Sequence, residues 1–160
     1  MSKQPLLDQI TEQLQQVLDN ALFAANEAHQ NATHSESTAE NKYDTLGLEN
    51  AYLAHGQSMR VEALQQVLAH YQQWQLIDFQ ADDAIGLGAL VQVTSQQGQQ
   101  RHFLLGPLHG GLQLLWQGQQ VILITPQTPV GQQLAARYLG DEITLPDAGH
   151  NHRYEITELS

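Results

Sequence analysis

From Leu7 the apolar positions run Leu7, Ile10, Leu14, Val17, Ala21, Ala24 and Ala28, in alternating steps of three and four. That spacing lays one stripe along a helix for more than three heptads, the pattern of a coiled-coil seam. Polar residues fill most of the intervening positions, and neither Pro nor Gly occurs from Leu6 to Ala32. At 1.5 Å per residue this predicts a rod of about 40 Å. The seam narrows from Leu, Ile and Val to Ala, so a partner helix can approach more closely at the far end. Asn31–Thr38 is then polar and small. Its Ser and Thr compete with helix by bonding their own backbone, which predicts a turn. Ser37 or Thr38 suits the N-cap of a second helix, with Glu40 in its first turn. The second pattern carries Leu48, Tyr52, Met59, Ala63, Val67 and Tyr71, with Leu53, Leu64 and Leu68 beside them. Gly47 and Gly56 weaken it locally by about 1 kcal/mol each. Two long amphipathic segments with a short connection pack antiparallel, so residues 1–77 read as a helical hairpin with its tip near 33–46.

After Trp74 the period changes. Residues 78–83 (DFQADD) read as a linker. Short apolar or alternating runs follow at Ala89–Val93, His102–Leu105, Leu112–Trp116 and Val121–Ile124. They are separated by the turn signals Gln97-Gly98, Gly106-Pro107, His109-Gly110-Gly111 and Gln117-Gly118. Thr128-Pro129 reads as an N-cap with Pro at the first helical position, opening a short helix to about Tyr138 that stops at Gly140. Glu142–Leu145 and Arg153–Leu159 read as closing strands. Residues 84–160 are therefore expected to form a small antiparallel sheet with one helix, giving an α+β chain overall.

Composition narrows the function. The 160 residues include six Lys or Arg against 17 Asp or Glu, for a net charge of −11. Both halves are acidic: ten acidic and three basic residues in positions 1–80, seven and three in 81–160. Binding duplex DNA needs a basic face that displaces counterions, and six scattered cations do not build one. An acidic surface suits a basic protein partner, and also plain solubility. No segment approaches the roughly 20 apolar residues that span a bilayer, and Met1–Pro5 lacks the apolar core of a signal peptide. With no cysteine there are no disulfides or thiolate sites. A soluble, cytoplasmic protein is the expectation.

Residue by residue, little catalytic chemistry emerges. His150 and His152 flank Asn151 near Asp147, but no further ligands at suitable spacing complete a metal site, so a surface loop is expected. His29 and His34 fit an exposed polar face. His109-Gly110-Gly111 lacks the strand–loop–helix order of a phosphate cradle. No Ser is framed as a nucleophile elbow. Trp74 and Trp116 lack basic neighbours and suit packing better than nucleic-acid stacking.

Local sequences add a resemblance. Ile124-Thr-Pro-Gln-Thr-Pro-Val-Gly-Gln-Gln-Leu, followed by Tyr138-Leu-Gly-Asp-Glu-Ile, resembles the I-S-x-x-S-P-x-G-x-x-L…G-D-x-V stretch of the GreA/GreB transcription elongation factors. Leu87-Gly-Ala-Leu-Val resembles that family's F-G-A-x-V, and His102-Phe-Leu-Leu-Gly its Y-x-I-V-G. Arg60-Val-Glu-Ala-Leu-Gln-Gln-Val-Leu is similar to its R-I-x-x-L-E-x-x-L, and Arg153–Leu159 to its last strand. The resemblance spans nearly the whole chain, strongest over 85–159 and weakest over 30–50.

The resemblance implies an FKBP-like C-terminal domain that docks on the rim of the RNA polymerase secondary channel, with Gln127, Thr128, Pro129 and Val130 as the docking surface. It implies a coiled-coil tip inserted in the channel, where acidic residues help hold a second Mg²⁺ supplied in the polymerase active site. Two metals clamp the attacking and leaving oxygens as the 3′ end of backtracked RNA is cleaved. The factor is then an accessory to the polymerase and no enzyme by itself. It meets RNA only inside that complex, without duplex DNA or membrane. Glu40 and Asp44 lie nearest the family's acidic tip positions, each one place away. Spaced i, i+4, they share a helix face about 6 Å apart, fit either for a metal between them or for a solvated tip. The family's basic patch has no counterpart here, which leaves a non-cleaving polymerase modulator open beside a cleavage factor. A coiled-coil interaction or assembly protein is the reading from another class. An FKBP-type fold also raises prolyl isomerisation, but three Phe and two Trp are few for an aromatic substrate pocket.

Overall fold

The structure, a computed structural model, describes residues 2–38 and 45–160. Helices α1 (Gln4–Thr38) and α2 (Thr45–Gln73) come first. Strands β1 (Leu90–Ser95), β2 (Gln100–Leu105), β3 (Gln113–Trp116) and β4 (Gln119–Ile124) follow, then the short helix α3 (Pro129–Leu134), then β5 (Glu142–Asp147) and β6 (His150–Leu159). The chain divides into two compact units: Thr11–Trp74, and Met1–Ile10 together with Gln75–Ser160. No helix among the described residues is long and apolar enough to cross a membrane.

In the helical unit α1 buries Leu14, Leu18, Ala21, Ala28 and Ala32, and α2 buries Ala54, Val61, Leu64, Leu68 and Tyr71. Both sets step by three, four or seven, so each helix carries one buried stripe of heptad type. The polar segment Asn31–Thr38 continues α1, which corrects the expected turn. Ser37 and Thr38 lie within that helix, and α2 begins at Thr45. Asn, Ser and Thr each cost only about 0.5 kcal/mol in a helix relative to Ala. Ala32 stays in register with the buried stripe, so the helix runs on.

The stripe of α2 is a larger correction. Leu48, Tyr52 and Met59 are 55%, 70% and 59% exposed, although they were expected in the seam. Steps of four residues advance about 40° around a helix. A stripe from Leu48 through Ala63 and Val67 to Tyr71 therefore drifts off its face, whereas Ala54–Gln57–Val61–Leu64–Leu68–Tyr71 holds one direction. Gln57 occupies this stripe with its Oε1 enclosed and unpaired.

The second unit is built on a six-stranded sheet in the order β3-β4-β2-β1-β6-β5. Four of its ladders are antiparallel, as the sequence predicts. The fifth corrects that expectation: β2 and β4 run parallel, with His102 opposite Val121 and Leu105 opposite Ile124. The tight β3–β4 hairpin causes this, because its second strand lies against β2 and its first takes the sheet edge. Gln117 and Gly118 form its turn with φ of 50° and 78°. Paired positive φ values suit a two-residue hairpin whose twist matches the strands. On one face Val91, Val93, Phe103, Leu105, Tyr154 and Ile156 form the centre of the core. Tyr154 is 1% exposed, and its hydroxyl has no partner. An orphaned buried hydroxyl costs about 1–3 kcal/mol. Tyr154→Phe should therefore raise the stability of this unit by about 1 kcal/mol in urea unfolding. A loss of stability would show that the hydroxyl is satisfied.

α3 ends at Leu134 and not near Tyr138, a further correction. Ala136 takes φ 64°, its N–H donates to Ile85 O at 2.9 Å, and Ile85 N–H donates to Arg137 O at 2.8 Å. This pairing draws the chain away from the helix axis.

The first residues of α1 belong to the sheet unit through two polar clamps. Gln9 Nε2 donates to Leu115 O at 2.8 Å, and Leu115 N–H donates back to Gln9 Oε1 at 2.8 Å. Lys3, only 3% exposed, donates to Ile77 O at 2.7 Å, Gly88 O at 2.7 Å and Ser160 O at 2.9 Å. Its ammonium also lies 5.3 Å from the Phe79 ring centroid, within cation–π range. Burial pushes the Lys3 pKa below its ordinary value, and the charge of Asp78 offsets part of that.

Candidate functional site

The segment from Thr125 to Leu134 is a turn held by a dense set of local hydrogen bonds. Thr128 has extended backbone angles (φ −70°, ψ 154°) and caps α3 by accepting from Gly131 N–H at 3.0 Å. Its hydroxyl donates to Thr125 O at 2.7 Å, and its backbone N–H reaches the same oxygen at 3.1 Å. Pro129 fills the first turn of the helix, where its missing N–H has no cost. Gln132 N–H donates to Thr128 O at 2.8 Å, and its side chain donates to Gln127 O at 3.2 Å. Gly131 is buried, and a Cβ there would stand 1.8 Å from Thr125 O. Only glycine allows the helix to fold back this tightly on the end of β4.

The four residues expected to dock therefore divide. Thr128 is spent on the cap, and Val130 packs against the core cluster. Gln127 and Pro129 are exposed and face outward. Beside them lies the loop Gly106–Gly111, tied to the end of β4 by Gly106 N–H to Ile124 O at 2.7 Å and Gly111 N–H to Leu123 O at 2.6 Å. A Cβ on Gly110 would lie 3.4 Å from Thr128 Cγ2, so the two loops are in contact. Leu108 is 39% exposed on this loop. The turn signals around it mark the loop, but no periodicity reveals that it abuts Thr128.

The other site expectation, Glu40 and Asp44 as an acidic pair for a shared Mg²⁺, lies outside the described residues. Among the described residues no three His, Cys, Asp or Glu side chains converge in a way that could hold a metal ion. His150 pairs with Asp147 across the β5–β6 turn, with Ala148 and Gly149 at φ 49° and 83° between them. On the other sheet face a hollow of about 220 Å³ is lined by Gln92, His102, Trp116, Gln119 and Glu158, among others. In it His102 Nε2 and Gln92 Oε1 lie 3.0 Å apart in a hydrogen bond, and Gln92 Nε2 donates to Thr157 Oγ1 at 3.0 Å.

No protein-family model matches the chain, and no curated protein matches it. Among solved structures the chain is similar to GreA factor homolog 1 (Gfh1) of Thermus thermophilus, at 16% identity over 94% of each chain with a TM-score of 0.41. It is similar to Gfh1 of Thermus aquaticus at 17% identity over 92% of each chain, TM-score 0.41. It is also similar to the prokaryotic transcription elongation factor GreA/GreB from Nitrosomonas europaea, at 18% identity over 61% of this chain and 78% of that one, TM-score 0.39. The structures named here are of Gfh1 and of GreA/GreB, the latter the family that the chain's C-terminal motifs resemble.

Proposed function

We propose that this chain is a Gre-like transcription factor that binds RNA polymerase and places its helical hairpin in the secondary channel. The observation that carries the reading is the Thr125–Leu134 turn. The residues that resemble the family's motif are those the turn cannot do without: the capping Thr128, Pro129 at the helix start and Gly131 against Thr125 O. Gln127, Pro129 and the adjoining Leu108 form the docking surface in this reading. The helical pair ahead of the sheet supplies the probe. Its alanine stripe is closed, with Ala21, Ala28 and Ala32 all buried. An assembly protein pairing through that stripe would need it open, which favours the polymerase reading.

Whether Glu40 and Asp44 share a Mg²⁺ with the polymerase is a separate question of chemistry. Carboxylate oxygens suit a hard cation that retains water. The chain should co-elute with core RNA polymerase at low salt, and Gln127→Glu with Pro129→Asp should weaken that capture. Failure of the wild-type chain to co-elute would overturn the proposal. Stalled complexes given the wild-type chain, Glu40→Ala or Asp44→Ala then report on the metal role. Unchanged cleavage in both variants removes it and leaves a non-cleaving modulator.

A further inference from the structure

The outer face of α2 carries three large apolar side chains over three turns, with His55 among them. At about 100° per residue, Leu48, Tyr52, His55 and Met59 fall within an arc of about 60°, on the side of α2 roughly opposite its buried stripe. All four are exposed, Tyr52 at 70% and Met59 at 59%. Large apolar groups are held in water here while alanines line the buried stripes nearby, with Ala28, Ala32 and Ala54 buried. Packing therefore does not account for the large residues, whereas contact with a partner does.

Charge selects the partner. Positions 11–74 hold eight Asp or Glu against only Lys42 and Arg60. Two such surfaces repel each other, and an anionic membrane repels them equally. A protein surface that is apolar along its middle and flanked by Lys or Arg complements the stripe in both respects. We infer that Leu48, Tyr52 and Met59 form a second contact surface, which seats the hairpin against an apolar, basic-flanked wall of the polymerase. This rests on the polymerase reading above and adds to it the face of the hairpin that carries the contact.

The test compares the wild-type chain with the triple variant Leu48→Gln, Tyr52→Gln, Met59→Gln for binding to core RNA polymerase. Circular dichroism checks first that the variant keeps its helix content, which outward substitutions should leave in place. The triple variant should bind about tenfold more weakly, and wild-type binding should weaken as salt rises. The conservative pair Tyr52→Phe, Met59→Leu should bind as the wild type does. Equal binding by wild type and triple variant overturns this inference and leaves the polymerase reading standing. No binding by the wild type overturns both. A concentration-dependent dimer of the free chain that the triple variant loses would identify a second copy as the occupant and overturn the choice of partner.

Discussion

Gly131→Ala should unfold the sheet unit far more easily than any surface substitution, lowering its stability by about 3 kcal/mol. The added carbon would stand 1.8 Å from Thr125 O and 2.7 Å from Thr125 C. Both obstacles are backbone, so no side chain can rotate aside to relieve them. Either α3 moves away from the end of β4 or the turn opens. Each response disturbs the cap, since Thr128 Oγ1 accepts from Gly131 N–H at 3.0 Å and donates to Thr125 O at 2.7 Å. For a unit of this size the melting temperature should fall by more than about 10 °C. The variant should also lose polymerase capture out of proportion to its unfolded fraction, because the turn is the proposed docking surface. A melting curve unchanged within about 1 kcal/mol would show that the backbone gives way cheaply there.

Lys3→Met should cost a comparable amount, about 3 kcal/mol. The substitution removes three hydrogen bonds from one ammonium and leaves the Ile77, Gly88 and Ser160 carbonyls without that donor. Hydrogen bonds to a charged group are worth about 1.5–3 kcal/mol each, and relief of the desolvation cost of the charge returns part of the loss. The pH dependence follows from the direction of the pKa. Burial lowers it in the folded chain, so between the folded value and the ordinary 10.5 the unfolded chain binds more protons. Wild-type stability should therefore rise with pH across that window relative to the variant. Urea unfolding at stepped pH checks both points. A wild-type minus variant difference that shrinks toward alkaline pH would mean that the three carbonyls, rather than burial, set the titration.

The two predictions differ in how far they could be read from the chain. The strands of the sheet unit were legible because alternation is interrupted at Gln97-Gly98, Gln117-Gly118 and the glycines around His109, where the structure has its turns. Thr128 and Pro129 were legible as a helix start because capping is local chemistry. Lys3 was not legible, since its partners lie 74, 85 and 157 residues away. The parallel pairing of β2 with β4 was hidden for a similar reason. Alternation tells which side a residue faces, not which strand lies beside it. On α2 the error came from size. Leu48, Tyr52 and Met59 drew the seam towards themselves, while the buried stripe runs through Ala54 and Gln57 and is recognisable only by its constant direction. Of the four residues expected to dock, Gln127 and Pro129 face outward, whereas Val130 packs on the core, a burial that no local pattern marks. The acidic pair Glu40 and Asp44 remains a proposal resting on spacing and resemblance.

In the proposed function this hairpin enters RNA polymerase. It is tested most directly by replacing Lys42 with a photoreactive amino acid and irradiating the chain bound to stalled, backtracked elongation complexes. The expected product is a covalent adduct with the polymerase subunit that lines the secondary channel or with the RNA 3′ end, suppressed by excess wild-type chain. Adducts absent from every polymerase subunit and from the RNA, under conditions where the chain is in excess, would contradict it.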